Sequence, residues 1–414
     1  MPAMMPTDSD EILVQDLSPA CRTLRVAVVT ETYPPEVNGV AATLSRVVDG
    51  LRQRGHAVQL MRPRQTTDEG AGAEHDAAVL MRGLPLPRYP QLRMGLPARR
   101  ALVKLWTQRR PDVVHVVTEG PLGWSALQAA LHLRLPVVSD FRTNFHAYSG
   151  HYGLKWLRSP IVAYLRRFHN RCACTMVPTE ALRSELHAAG FRGLRVVARG
   201  VDTALFTPTR RSDTLRAQWG CEPSTPVVLY VGRLAPEKNL GVLMAAFDRL
   251  SQFAPTARLL LVGDGPDRAA LQRRCPGAIF AGVQRGEALA AHYASADLFV
   301  FPSLTETWGN VVSEAMASGL AVMAYDTAAA GHLIRHGHNG LLAPPGDEDA
   351  FVALARRLVG EPDRARDMSE QARATACWLD WGRVVDAVEA EYLAAMSVAS
   401  TPDPAIWRAA LPAA

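Results

Sequence analysis

Two carboxylates and two cations define the chemistry this chain could perform. Glu306 and Glu314 stand with seven residues between them in the stretch from Phe301 to Gly319, FPSLTETWGNVVSEAMASG. Arg233 and Lys238 lie five positions apart in Gly232-Arg-Leu-Ala-Pro-Glu-Lys-Asn239. Carboxylates receive hydroxyl groups well, and cations together with free N–H groups at a helix start attract phosphate. The set therefore fits a ligand carrying both sugar and diphosphate. A plainer reading makes Glu306 and Glu314 a capping and a solvated residue of an amphipathic helix, with Arg233 or Lys238 answering Glu237. That reading weakens if all four residues reach one sheet edge.

The elements needed to bring them there are legible. Asp297 to Pro302 is an apolar run that reads as a buried parallel strand, followed by a polar loop from Ser303 to Trp308. Gly309-Asn310 starts a helix with Val311, Val312, Ala315 and Met316 on its apolar stripe, and Gly319 ends it. Val227 to Val231 reads as another buried strand, and the Arg233/Lys238 loop connects it to a helix ending near Phe253. Further strands are expected at 259–262, 278–281, 321–324 and 340–343, with a turn at Gly263-Asp-Gly-Pro266.

The first half has the same rhythm. Leu24 to Thr30 reads as a strand, Glu31 to Asn38 as a loop kept out of helix by its prolines, and Gly39 as the opening of a helix that ends at Gly55-His56. Ala57 to Met61 completes a βαβ unit. No G-x-G-x-x-G occurs here, so a longer loop over a cleft is expected, with Gly39 letting a phosphate approach the backbone. Strands at 112–117 and 136–139 follow, and the loop from Asp140 to His146 lies at a strand's carboxyl end, where α/β sheets hold ligands. Alternating strands and helices in both halves predict an α/β fold of two Rossmann-like, doubly wound domains facing across a cleft.

Length agrees with two domains, since 414 residues exceed one ordinary core. The expected boundaries are a disordered leader at 1–21, an N-terminal domain at 22–206, a linker at 207–226 and a C-terminal domain at 227–377. A closing helix at 378–396 and a disordered tail at 397–414 complete the chain. Hydrophobic residues at 48% and charged residues at 21% describe a globular chain without a run long enough to span a bilayer. The leader carries acids and lacks the pattern of a secretory signal. Six scattered cysteines give neither zinc spacing nor a disulfide framework, which favours a reducing cytoplasm.

The net charge of +5 is unevenly spread. Asp76 and Asp112 bracket an acid-free run that contains Arg99, Arg100, Lys104, Arg109 and Arg110, mostly on an amphipathic helix expected from Leu96 to Arg109. Such a face suits an anionic membrane surface or an anionic acceptor. No nucleic-acid fold signature accompanies it, so nucleic acid is not expected. His332, His336 and His338 follow a turn pattern and read as surface residues.

The motifs VTETYPPEVNGVAATLSRVVDGL, DVVHVVTEGPLG, YVGRLAPEKNL, VGDGP and FPSLTETWGNVVSEAMASGLAV resemble the retaining nucleotide-sugar glycosyltransferases of GT-B architecture. Within these, the chain is similar to the large family-4, group-1 type that includes bacterial mannosyl-, glucosyl- and sulfoquinovosyltransferases of glycolipids. The resemblance covers roughly residues 24 to 395. It implies a hexose transfer from a GDP- or UDP-sugar to a lipid, lipid-linked or glycan acceptor, with a weak preference for mannose, at the cytoplasmic membrane face. Arg233 and Lys238 would clamp the diphosphate, Glu306 would hold the transferred sugar with Thr307, Trp308, Gly309 and Asn310 around it, and Glu314 would take the ribose. Val283 would meet the base, and Gly39 the diphosphate from the other domain. No metal and no cofactor besides the donor is implied. Relatives commonly carry F-H-T-N-F where this chain has Phe141-Arg-Thr-Asn-Phe145, so Arg142 replaces a histidine beside the sugar, and His146 is a candidate substitute. Alternatives are a nucleotide-sugar epimerase on the same fold and a non-catalytic nucleotide-sugar binder.

Overall fold

The computed structural model describes residues 22–34, 36, 39–65, 78–86, 89–142 and 158–400. The leader 1–21, His146 and residues 401–414 lie outside the described residues. In the N-terminal lobe the strands are β1 (Arg25–Val29), β2 (Ala57–Pro63), β3 (Ala78–Met81), β4 (Gly83–Leu86), β5 (Tyr89–Gly95), β6 (Val113–Val116), β7 (Val137–Asp140), β8 (Cys174–Val177) and β9 (Leu194–Val196). Seven of them form a parallel sheet in the order β3-β2-β1-β6-β7-β8-β9. The helices that cover its faces include α1 (Gly39–Gln53), α2 (Arg99–Gln108) and α3 (Pro121–His132).

The second sheet holds β10 (Val227–Val231), β11 (Arg258–Val262), β12 (Ile279–Gly282), β13 (Leu298–Phe301), β14 (Ala321–Tyr325) and β15 (Leu341–Ala343). Its order is β12-β11-β10-β13-β14-β15, again parallel throughout. Every residue of Val-Val-Leu-Tyr-Val in β10 is buried, because helices cover both faces and a strand so enclosed needs no polar alternation. In each lobe the strand order reverses beside the first strand, at β1/β6 and at β10/β13. Loops leaving the carboxyl ends of such neighbours open a crevice between them.

Three segments differ from the sequence reading. Residues 207–226, expected as a linker, carry a turn at Pro208–Arg210 and a helix Asp213–Gln218. Arg216, only 2% exposed, donates to the carbonyls of Ser295 and Thr225 and reaches the Asp297 carboxylate. The proline-broken rhythm comes from turns packed against the second sheet. Upstream of it, Val201 and Phe206 already belong to the C-terminal core. The closing helix runs Trp381–Ser400 and so passes the expected end at 396. Finally, β4 and β5 form an antiparallel hairpin beside the main sheet that the proline-rich sequence concealed.

The chain crosses between lobes twice at neighbouring points. The amide of Val201 donates to the Leu379 carbonyl at 2.9 Å. A methyl group on Gly200 would sit 2.7 Å from the Trp381 ring. Beyond this point the helix Trp381–Ser400 lies on α1, with Val384, Val385, Val388 and Tyr392 in the N-terminal core. Arg54 adds ion pairs to Asp386 and Glu389.

Candidate active site

Strands β10 and β13 are parallel neighbours, with Val228 opposite Leu298 and Leu229 opposite Phe299. The loops that follow them therefore leave the same sheet edge. This register brings Lys238 to Glu306: the Lys238 ammonium pairs with Glu306 Oε1, which also accepts from Ser303 Oγ at 2.9 Å. The Thr305 hydroxyl ties the second loop to the first by donating to the Glu237 carbonyl at 3.0 Å. Lys238 and Glu306 side chains are 15% and 19% exposed, so their charges are only thinly screened.

Arg233 follows β10 as expected but is turned differently. Its guanidinium pairs with Glu237 and its side chain is 53% exposed. The local ion pair weighed from the sequence thus forms for Arg233, while Lys238 reaches across to Glu306. The Arg233 loop is fixed by its backbone. Leu234 donates to the Asp264 carbonyl at 2.9 Å, and Asp267 donates back to the Leu234 carbonyl at 3.0 Å. Gly263 allows this contact: with φ of +137°, it would place a Cβ 1.9 Å from the Gly232 oxygen. The VGDGP turn is the mould for the cationic loop.

At the start of the helix Asn310–Ala317, Gly309 adopts φ 88°, and an added Cβ would lie 3.4 Å from Glu306 Cγ. Glu314, one helix face further on, accepts from the Tyr293 hydroxyl at 3.0 Å. Burial pushes its carboxyl up to about 7, a rise the Tyr293 bond partly offsets. Trp308, grouped with the donor residues by sequence, places its indole in the core at 1% exposure. Its Nε1 has no hydrogen-bond partner among the described residues. Val283 is 57% exposed just beyond β12. Ser303, Thr305 and Tyr293 were not singled out from the sequence; a short polar side chain three residues before Glu306 was the available clue for Ser303.

The N-terminal lobe meets this edge at two places. Gly39 faces Asn310, whose Nδ2 would lie 3.6 Å from a Cβ built on the glycine. The Thr307 hydroxyl donates to the Arg142 carbonyl at 3.4 Å. Arg142 itself donates from Nε to Asp140 Oδ2 at 3.0 Å. Burial alone would raise the Asp140 carboxyl, but the charges of Arg142 and His115 hold it well below the usual range. His115 Nε2 is 3.3 Å from that carboxylate, and its Nδ1 meets the Tyr392 hydroxyl at 2.8 Å. Arg199, also missed from the sequence, is 9% exposed in the same wall. His332, His336 and His338 are exposed.

Two lobes of this topology with a charged crevice between them define the GT-B architecture. The crystal structure of Anabaena Alr3699/HepE in complex with UDP superposes with a TM-score of 0.72 at 20% identity, covering 90% of this chain and all of that one. Family models described as "Glycosyltransferase Family 4" and "Glycosyl transferases group 1" match residues 37–205 and 225–361. The GDP-mannose-dependent alpha-mannosyltransferase of Mycobacterium tuberculosis is 35% identical over 89% of this chain and 96% of its own length. Sulfoquinovosyl transferase SQD2 of Arabidopsis thaliana is 32% identical over 86% of this chain and 71% of its own. The chain belongs to this group-1, family-4 class of glycosyltransferases.

Proposed function

We propose that the protein transfers a hexose, with mannose preferred, from a GDP- or UDP-sugar to a lipid, lipid-linked or glycan acceptor at the cytoplasmic face of a membrane, with retention of anomeric configuration. The observation that carries this reading is the meeting of Lys238 with Glu306 at the β10/β13 edge, beside the Gly309-Asn310 helix start. Arg233, released from Glu237, and Lys238 would hold the diphosphate and stabilise the charge that builds on it as the glycosidic bond breaks. Glu306 would accept sugar hydroxyls, Glu314 the ribose hydroxyls, and Val283 would border the base. Gly39 and Asn310 would approach the phosphates as the lobes close. The departing phosphate would take the acceptor's proton, so no resident metal is needed. The mannose preference rests on the similarity to the mannosyltransferase.

The basic helix α2 supports the membrane assignment. Leu102 and Trp106 are fully buried, so the helix is anchored inward, while Arg99, Arg100, Lys104, Arg109 and Arg110 are exposed. Among the described residues no helix is long and apolar enough to cross a membrane. The test is transfer by purified protein from a panel of nucleotide sugars to neutral and phosphorylated lipids, with the product's anomeric configuration read by NMR and one arm run in EDTA. Retained configuration and EDTA-insensitive turnover are expected. Absence of turnover with every donor, with Glu306→Ala matching wild type in donor affinity, overturns the reading.

A further inference from the structure

Among the described residues, three of the four cleft cations are answered one for one. Arg233 meets Glu237, Lys238 meets Glu306 and Arg142 meets Asp140. Arg199 differs. It is nine-tenths buried, yet no hydrogen bond or ion pair to it occurs among the described residues. A guanidinium left with so little solvent contact and no protein partner is costly, and an anion relieves that cost.

Its surroundings show where the anion would sit. Arg199 lines one cavity with Arg142, Asp140 and His115, closed behind by Val384 and Val388 of the last helix. Burial and the like charge of Arg142 both press the Arg199 pKa down, and the charges of Asp140 and Glu306 only partly oppose them. Asp140 already serves Arg142 and His115, so one positive charge is left over. The function proposed above places the transferred sugar against Glu306, whose charge Arg199 senses, and the present inference rests on that reading.

We propose that Arg199 and Arg142 form an anion subsite, separate from the diphosphate cations Arg233 and Lys238, that takes a carboxylate, sulfonate or phosphate carried at the reacting end of a substrate. The free Arg199 fork suits such groups, since it presents paired N–H donors to paired oxygens, and Arg142, whose Nε and Nη2 stay on Asp140, adds its remaining N–H groups. The group belongs to the transferred sugar or to the acceptor, and the lobe that carries both arginines faces either.

The experiment measures affinities of the full chain by calorimetry. The donor arm compares UDP-glucose with UDP-glucuronate; the acceptor arm compares diacylglycerol with phosphatidylinositol in neutral detergent micelles with UDP present. UDP and GDP alone are the controls. Wild type is expected to favour the anionic member of one pair by tenfold or more. Arg199→Met abolishes that preference, Arg199→Lys keeps part of it, and UDP affinity moves less than twofold. A preference in the donor arm puts the anion on the sugar; one in the acceptor arm puts it on the acceptor.

Equal binding within both pairs, or a preference that survives in the variants, overturns the subsite. So does a parallel loss of UDP affinity, which would make Arg199 a third diphosphate cation. If neither UDP nor GDP binds wild type, the transferase reading itself fails and the subsite falls with it. Should melting curves show that Arg199→Met does not fold, Arg199→Lys and Arg142→Met carry the same comparison.

Discussion

The ammonium of Lys238 rests on the carboxylate of Glu306 although they are 68 positions apart in the chain. The two side chains are only 15% and 19% exposed, so each is the other's main compensation. In a double-mutant cycle with Lys238→Met and Glu306→Gln, the two changes should couple by about 1–3 kcal/mol in chemical denaturation. Lys238→Met alone should lower kcat by roughly 100- to 1000-fold, as loss of a preorganised transition-state cation does. Additive stability effects would show that the pair is incidental.

Stability should fall as pH rises through the neutral window. Burial raises the carboxyls of both Glu314 and Glu31 from the usual 4.5 to about 7. Between those values the folded state holds protons that the unfolded chain has released, so raising the pH favours unfolding. Melting temperature should drop from pH 5 to pH 8, with Glu314 contributing on the order of 1 kcal/mol or more. Glu314→Gln should flatten the decline. An unchanged slope in that variant would assign the effect to other groups.

Gly309 should resist side chains more than its helix-start position suggests. Its positive φ costs an alanine about 1–2 kcal/mol. The new methyl would stand in ordinary contact with Glu306 Cγ at 3.4 Å, so backbone relaxation that relieves the strain would carry Glu306 with it. Gly309→Ala should therefore lose stability and raise the donor KM together, measured by denaturation and initial rates. A change in stability with KM untouched would mean that Glu306 does not touch the donor.

Trp308 should behave as core. Trp308→Ala should cost about 3–5 kcal/mol in folding. Trp308→Phe should leave GDP and UDP affinity within twofold of wild type, because the indole is buried and its N–H has no partner among the described residues. A large affinity loss in the phenylalanine variant would return this residue to the donor contacts.

The parts of the site that follow from local pattern were readable in the sequence. β10 and β13 announce themselves as continuous apolar runs, and Gly309 marks its helix start, so Lys238 and Glu306 could be assigned to one edge. Partner choice was not readable. Nothing local says that Lys238 crosses to Glu306 while Arg233 folds back on Glu237; side-chain reach and the Gly263 contact decide that. Trp308 lies within the donor motif yet faces inward, because the loop's turn, not its composition, sets its direction. Arg199 escaped notice for the opposite reason: its importance comes from lacking a partner among the described residues. Residues 207–226 looked like a linker because prolines interrupt periodicity in packed turns as well as in free chain.

The return of the chain at Leu379 means that covalent order and folded order disagree. Cutting a hybrid of two relatives once, near residue 200, would leave Val384, Val385, Val388 and Tyr392 of one parent seated against α1 of the other. A workable exchange needs two junctions, so that the last helix travels with the strands it closes and the second sheet is replaced as an insert. Trimming the chain from its end should likewise expose the apolar face of the lobe at the opposite end of the sequence, long before it reaches the cationic loop.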